Sequence, residues 1–291
     1  MKITNTLNLP RPFVEMAKSE YEYKDKQYSV TSLLRGTRET ILKRRYHDEI
    51  EVDVSDMIWM LFGQATHHIL EQQSEGEYDF QEEYLKIDVG NGYKLSGRFD
   101  LYNAKEKKVT DYKTASTWKV IYEDYEDVKK QLLIYAWMLN QIGMECNKGE
   151  AVFILKDHSK AKAKRERDYP EHPVKRIRFD FTPEDFAEIE IFIGSRFRDF
   201  YEAEQLPDNE LPVCPPDQRW RDQDKWAVKK KGNKRAYRVL NSKEEATQWM
   251  ENNKGNHIEY RPGIDKKCID YCDVAVYCNY HQETCGEEDT A

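Results

Sequence analysis

Three residues that could do chemistry, Asp100, Asp111 and Lys113, lie in two runs of alternating apolar and polar residues, 96–102 and 109–114. The polar segment 103–108 separates the runs, and this pattern predicts a β-hairpin with one aspartate on each strand. Because side chains two residues apart leave the same face of a strand, Asp111 and Lys113 should point the same way. Two carboxylates on one face repel each other, and a bound divalent metal would offset that cost.

Helices on either side of the hairpin are expected to complete a site. The spacing of apolar residues predicts a helix over 53–73, in which Gly63, His67 and Glu71 lie on one face. A single helical histidine is more often a packed or surface residue than a ligand. Further helices are expected over 28–45, over 125–142 and over 182–204, where Thr182 precedes Pro183 as a cap. Residues 1–27 are expected to form an irregular arm, and the alternation over 80–89 predicts a strand.

Composition restricts the class of protein. The chain has 291 residues, 39% hydrophobic and 34% charged, with a net charge of -8. No apolar run is long enough to span a membrane, and the first residues do not resemble a secretory signal, so we expect a cytoplasmic protein. Net acidity argues against a nucleic-acid partner, yet the segments 156–178 and 219–238 are basic and could be either solvated surface or contacts to phosphates.

The order of the motifs resembles the PD-(D/E)xK nuclease superfamily, in particular its RecB-like branch. The matching elements are Gly63-x3-His67-x3-Glu71, then Gly97-Arg98-Phe99-Asp100, then Asp111-Tyr112-Lys113, and finally Gln131-x3-Tyr135. Four motifs in this order are far more specific than any one of them. The sequence departs from the family pattern by having Phe99 where the name gives proline, and aspartate as the second acid.

The resemblance implies a mixed sheet flanked by helices and a role for each matching residue. The side chains of His67, Asp100 and Asp111 and the carbonyl of Tyr112 would bind Mg²⁺ or Mn²⁺. Lys113 would act in catalysis with the two aspartates, and Gln131 and Tyr135 would line the active site. Arg98, within the second motif, is a further candidate for DNA binding.

Six cysteines are present, and a cytoplasmic setting favours metal ligation over disulfides. Cys268, Cys272 and Cys278 form a C-x3-C-x5-C cluster, with Cys214 as the expected fourth ligand and Cys285 as an alternative. Four thiolates can hold a 4Fe–4S cluster or a structural zinc ion. Similarity to AddB-type and CRISPR-adaptation nucleases, which end in three closely spaced cysteines, favours the iron–sulfur cluster.

Two domains are expected, a nuclease core with an N-terminal arm at 1–205 and a small cysteine-rich basic module at 206–291. Residues Lys229, Lys230, Lys234 and Arg235 of this module are candidates for DNA contacts. The resemblance implies a metal-dependent deoxyribonuclease, an exonuclease rather than an endonuclease, acting in phage or prokaryotic recombination or repair. The alternative is a non-catalytic DNA-binding or assembly protein that keeps the fold. Expected partners are DNA and, for a phage enzyme in the host cytoplasm, a single-strand annealing protein; no membrane is expected, and an oligomer is compatible with the sequence.

Overall fold

The computed structural model describes residues 1–18, 23–72, 76–253 and 255–285. The chain forms two compact units, of which the first comprises Met1–Arg35 and His47–Gln205 and the second Gly36–Tyr46 and Leu206–Ala291. The sequence places one boundary after residue 205. The second unit differs from that expectation because it also takes residues 36–46.

The first half of the chain contains these strands and helices in order: β1 (Lys2–Thr4), α1 (Arg11–Ala17), β2 (Gln27–Ser29), α2 (Val30–Leu33), α3 (Thr37–Arg45), β3 (Glu51–Asp53), α4 (Ile58–Glu71), β4 (Asp79–Gln81), β5 (Tyr84–Gly90), β6 (Tyr93–Arg98), β7 (Leu101–Asn103), β8 (Lys108–Ala115), α5 (Thr117–Ile121) and α6 (Glu126–Gln141). The second half continues with β9 (Lys148–Leu155), α7 (Lys160–Ala163), β10 (Val174–Asp180), α8 (Pro183–Glu204), β11 (Lys225–Lys229), β12 (Arg238–Leu240), α9 (Lys243–Asn252), β13 (His257–Arg261), α10 (Lys266–Asp270) and α11 (Asn279–Thr284). Short 3-10 helices cover Val54–Met57, Asp208–Glu210 and Ala275–Tyr277.

A mixed five-stranded sheet in the order β10-β9-β8-β7-β4 forms the centre of the first unit. β7 and β8 make the expected hairpin, with Leu101 opposite Thr110. β8 and β9 run parallel over eight residue pairs, and the connection between them contains α6. The mixed α/β fold predicted from the sequence is therefore confirmed.

Helices α6 and α8 cover this unit, and their sequences explain why. Nine residues of α6 are buried, as a helix enclosed by protein on most sides requires. α8 begins at a capping box in which the Thr182 and Asp185 side chains each bond the other's backbone N–H. Near its end, Glu204 accepts hydrogen bonds of 2.5 Å from the hydroxyls of Tyr28 and Tyr93, and this ties α8 to β2 and β6.

Two expectations about local structure were wrong. The helix predicted to continue from Tyr28 to Arg45 is interrupted at 34–36, which gives α2 and α3. The N-terminal arm, expected to be irregular, contains β1 and α1. Ala17 at the end of α1 is buried against Val54 and Leu61. This contact between distant segments holds the arm in place, and no local sequence pattern predicts it.

The second unit contains a three-stranded sheet, β12-β11-β13, with α9 packed against β11. α3 belongs to this unit through charged contacts. The buried guanidinium of Arg38 donates to the carbonyls of Leu211 and Pro212, Lys43 pairs with Asp273, and Glu39 pairs with Lys267. Among the helices of the described residues, none combines the length and the apolar character that a membrane span needs.

Candidate functional site

The site lies where two antiparallel strand pairs of the first unit break at the same level. The run over 80–89, expected to be one strand, is split into β4 and β5, and Glu82 in the gap has a φ of +49°. Asp100 lies in the gap between β6 and β7. The N–H of Glu82 donates to the carbonyl of Asp100 at 3.1 Å, so the two interruptions place both carboxylates side by side.

His67 on α4 completes a compact group with these two carboxylates. Its Nδ1 lies 3.3 Å from Asp100 Oδ1 and 3.9 Å from Glu82 Oε1. One ligand atom from each of the three residues lies within 4.8 Å of the others. The second oxygen of Asp100 accepts a hydrogen bond of 2.6 Å from the backbone N–H of Tyr112, which orients the carboxylate.

Asp111 and Lys113 leave the same face of β8, as the period of a strand requires. Asp111 is buried, and Lys113 Nζ donates to its Oδ1 at 2.9 Å. Oδ2 lies 2.9 Å from the same ammonium but receives no hydrogen bond from the part of the chain that the structure describes. Burial raises the pKa of Asp111 to about 6, and the charge of Asp100 adds to that rise while Lys113 opposes it.

The two residues expected from α6 also lie at this site. Burial raises the pKa of the Tyr135 phenol above its usual range, with the charges of Asp111 and Asp100 as further causes, and Gln131 makes a hydrogen bond to that phenol. The Tyr135 ring packs on Gly97, where an added Cβ would come within 2.7 Å of the ring and 2.8 Å of Val30. Gly97 is therefore needed for the close approach of Tyr135 to β6.

The group fits a hard divalent cation. Asp111 Oδ2 is a buried oxygen that accepts no hydrogen bond within the described residues, and the remaining carboxylates and imidazole supply the oxygen and nitrogen atoms that Mg²⁺ or Mn²⁺ takes. Two pKa values agree with an uncompensated negative site. The hydrogen bond to Asp100 raises the pKa of His67, and burial together with Asp100 raises that of Glu82.

Glu150, another buried acid of the same sheet, differs from Asp111 because cationic side chains compensate its charge. Burial alone would raise the pKa of Glu150, but hydrogen bonds from Arg176, Arg178 and Lys108 outweigh that effect and lower it to about 2. Glu150 thus has its cations within the protein. Asp111 has a single lysine beside it, and one of its oxygens accepts no hydrogen bond within the described residues. This difference distinguishes a structural carboxylate from one arranged to bind a ligand.

The structure brings together most of the residues selected from the sequence. His67, Asp100, Asp111, Lys113 and the Gln131–Tyr135 pair belong to one site, while Glu71 of the helical motif pairs with His68. Sequence reasoning missed Glu82. The only signal for it was a pair of acidic residues, Glu82 and Glu83, at a point where the alternation of the predicted strand 80–89 could break.

The cysteine cluster and the basic residues lie in the second unit. Cys214, Cys268, Cys272 and Cys278 line one small cavity, and Cys285 is not among the lining residues. Arg38 Nη1 lies 3.7 Å from the sulfur of Cys278. Of the predicted DNA-binding residues, Lys229 pairs with Glu259, whereas Lys230, Lys234 and Arg235, like Arg98 in the first unit, are exposed.

The sequence was compared with known protein families and with curated proteins. Residues 59–279 match the sequence profile of the PD-(D/E)XK nuclease superfamily. No curated protein matches the chain in sequence.

Solved structures resemble the chain only distantly. A crystal structure of SSO0001 is 20% identical, covers 64% of this chain and 81% of its own, and superposes with a TM-score of 0.46. A phage-related exonuclease from Haemophilus somnus 129PT is 13% identical over 65% of this chain and 76% of its own, with a TM-score of 0.29. The alkaline exonuclease LHK-Exo from Laribacter hongkongensis is 12% identical over 61% and 89%, with a TM-score of 0.36.

Proposed function

The chain belongs to the PD-(D/E)XK nuclease superfamily, and we propose that it hydrolyses phosphodiester bonds of DNA with Mg²⁺ or Mn²⁺. The observation that carries this proposal is the pair Asp111 and Lys113. The buried carboxylate of Asp111 pairs with the Lys113 ammonium, yet one of its oxygens accepts no hydrogen bond within the described residues. The pair lies next to the group formed by His67, Glu82 and Asp100. A protein that only bound DNA would have no use for carboxylates held together in this way, because DNA is itself an anion.

His67, Glu82, Asp100 and Asp111 are the residues that would hold the metal, and the carbonyl of Tyr112 stays a predicted ligand. A divalent cation at this position supplies Lewis-acid stabilisation of phosphoryl oxygens and lowers the pKa of water. Lys113 either donates a hydrogen bond to a phosphoryl oxygen as charge develops or accepts a proton from the attacking water. Gln131 and Tyr135 orient the substrate from α6.

We favour an exonuclease of phage or prokaryotic recombination or repair over an endonuclease, as the RecB-like motif order implies. A DNA-binding or assembly protein without activity is the second candidate. Linear and covalently closed circular DNA of the same sequence distinguish these three cases in the presence of Mg²⁺ or Mn²⁺. An exonuclease degrades the linear molecule alone, an endonuclease cuts both, and a binding protein cuts neither.

Variants of the site test the assignment of residues. Asp111→Asn and Lys113→Ala should each abolish degradation, whereas Glu82→Gln should slow it. Glu83→Gln is the matched control, because Glu83 is an exposed carboxylate adjacent to Glu82. Activity that is equal in the wild type, Asp111→Asn and Lys113→Ala would refute the proposed nuclease.

The exposed side chains of Lys230, Lys234 and Arg235 are proposed to contact DNA phosphates, and Arg98 is proposed to do so beside the active site. Each such contact that is lost should lower the salt dependence of DNA binding. A single-strand annealing protein as partner and a location in the cytoplasm complete the proposed role.

For the second unit we propose that Cys214, Cys268, Cys272 and Cys278 hold a 4Fe–4S cluster. The proposal rests on the resemblance of the C-x3-C-x5-C run to nucleases that end in three closely spaced cysteines. A tetrahedral zinc ion held by the same four thiolates is the alternative. A brown protein with absorbance near about 400 nm after anaerobic purification is expected, whereas colourless protein that releases zinc would contradict the proposal.

A further inference from the structure

Four exposed aromatic side chains lie on the two elements that lead away from the candidate active site. Trp59 and Phe62 lie on the first turns of α4, and Trp118 and Tyr122 lie in and just after α5. Their exposed fractions are 62%, 44%, 56% and 72%. Exposed rings in such a concentration are unusual on a protein surface and mark a binding surface.

Contacts between α4 and β8 fix where these rings lie. At the active site, the ring centroids of His67 and Tyr112 are 6.4 Å apart. One helical turn earlier, a Cβ on Gly63 would lie 3.4 Å from Thr114 Oγ1. α4 therefore runs beside β8 in the direction that takes Trp59 past the end of the strand.

Beyond the strand, further contacts join the two pairs of rings. Lys156 Nζ lies 3.9 Å from the ring centroid of Trp59, and the backbone N–H of Lys156 donates to Ala115 at the end of β8. The next residue, Asp157, accepts hydrogen bonds of 2.7 Å from Ser116 and from the N–H of Thr117. α5 is thus fastened next to Lys156, with Trp118 as its second residue.

The geometry points to single-stranded DNA as the occupant of this surface, a proposal that rests on the nuclease function proposed above. Trp118 and Tyr122 are already stacked, with centroids 5.6 Å apart and planes 20° from parallel. Aromatic rings bind single strands by stacking on unpaired bases, which a duplex does not offer. Eight residues of helix separate Trp59 from His67, about 12 Å, which is the rise of three to four stacked nucleotides.

Charge at the far end of the surface fits the same occupant. Lys156 is exposed above Trp59, and segment 160–167 that follows contains five cations, Lys160, Lys162, Lys164, Arg165 and Arg167. Several of these line an open cavity of about 670 Å³. Aromatic rings beside a row of cations are the two components of non-specific single-strand binding, one for the bases and one for the phosphates.

The test measures binding of fluorescent oligothymidylate and of an abasic oligonucleotide of the same length in EDTA, which prevents cleavage. The wild type should prefer the oligonucleotide that has bases. Trp59→Leu and Trp118→Leu keep apolar side chains but remove the rings, and each should weaken oligothymidylate binding about 5- to 150-fold while leaving abasic binding unchanged. Trp59→Phe and Trp118→Phe should restore much of the preference.

Tyr201→Leu is the matched control, because Tyr201 is 57% exposed on α8 of the same unit. It should bind both oligonucleotides as the wild type does, and thermal unfolding should be unchanged in all variants. If the Leu variants keep the wild-type ratio of affinities, the proposed strand path is wrong. Cleavage by the wild type in Mg²⁺ is measured separately, so that failure of the nuclease proposal, with the preference for bases intact, can be distinguished from failure of the path.

Discussion

The backbone N–H of Glu82 donates to the carbonyl of Asp100 at 3.1 Å. This hydrogen bond joins two strand interruptions that are separated by a full hairpin, β5 with β6, and it gives the site a third carboxylate. The positive φ of Glu82, uncommon for a residue with a side chain, is the local cost of that position.

Glu82→Gln should lower the affinity for Mn²⁺ and the Mg²⁺-dependent cleavage rate by at least about 10-fold, because one anionic oxygen ligand is replaced by a neutral amide and even the loss of a residue that only supports a ligand costs about that much. Isothermal titration with Mn²⁺ and cleavage of linear DNA measure the two effects. Glu83→Gln should change neither. A Glu82→Gln variant with wild-type metal affinity would remove Glu82 from the set of ligands.

Asp111→Asn should stabilise the metal-free protein while it abolishes cleavage. Because the folded pKa of Asp111, about 6, lies above its unfolded value, the ionised carboxylate opposes folding, and the cost grows as pH rises from about 4 to 6. At pH 7.5 we expect a gain on the order of 2 kcal/mol in the free energy of unfolding.

Thermal unfolding in EDTA, at pH 4 and at pH 7.5, measures this gain. The difference between wild type and Asp111→Asn should be small at pH 4, where the carboxyl is protonated in the folded state and about half protonated in the unfolded state, and large at pH 7.5. With Mn²⁺ present, the order of stabilities should reverse. A wild type that is more stable than the variant in EDTA at pH 7.5 would contradict the uncompensated burial of Asp111.

Metal affinity should rise with pH. In the metal-free protein the pKa of His67 lies above its usual value near 6.5 and that of Asp111 lies near 6, so below these values protons occupy atoms that a metal needs. Mn²⁺ affinity should therefore increase about tenfold or more from pH 5.5 to pH 7.5 and level off above the pKa of His67.

Titrations in buffers of different ionisation enthalpy count the protons released. We expect release on Mn²⁺ binding at pH 6 and almost none well above the pKa of His67. His67→Ala should bind more weakly and with a flatter dependence on pH. Equal affinity at pH 5.5 and 7.5 would mean that neither group is a ligand.

Gly97→Ala should destabilise the protein by about 1–3 kcal/mol, since the added methyl collides with Tyr135 and Val30. It should also lower cleavage, because Tyr135 moves out of position. Gly194→Ala is the control from the interior of α8, where a Cβ meets nothing within 4 Å and should stabilise by up to about 1 kcal/mol. Urea unfolding of both variants and of the wild type measures the two changes in the free energy of unfolding, a decrease for Gly97→Ala and an increase for Gly194→Ala.

Local patterns predicted much of the fold. The hairpin of β7 and β8 and the helices α6 and α8 follow from periodicity and from the Thr182 cap, which depend on neighbouring residues alone. The order of the four motifs along the chain predicted the PD-(D/E)XK nuclease superfamily. The pair Asp111 and Lys113 was predictable for the same reason, because one strand holds both.

What the sequence did not predict depends on contacts between distant segments. Glu82 reaches Asp100 only because two strand pairs are interrupted together, and no local pattern records that coincidence. The buried end of α1 and the association of α3 with residues beyond 205 have the same origin. Alternation can place a residue on a face of a strand, but it cannot say where the strand stops.

Because α3 associates with residues beyond 205, it is translated long before the segments that it contacts. Glu39 leaves the ribosome 228 residues before Lys267, its ion-pair partner. At about 5–20 residues per second, roughly 10–45 s pass between the two. Arg38, which is buried in the folded protein, also precedes its acceptors, because Leu211 and Pro212 follow it by 173 and 174 residues and Asn279 follows it by 241. Residues beyond 205 therefore decide when α3, which is translated long before them, can make its native contacts.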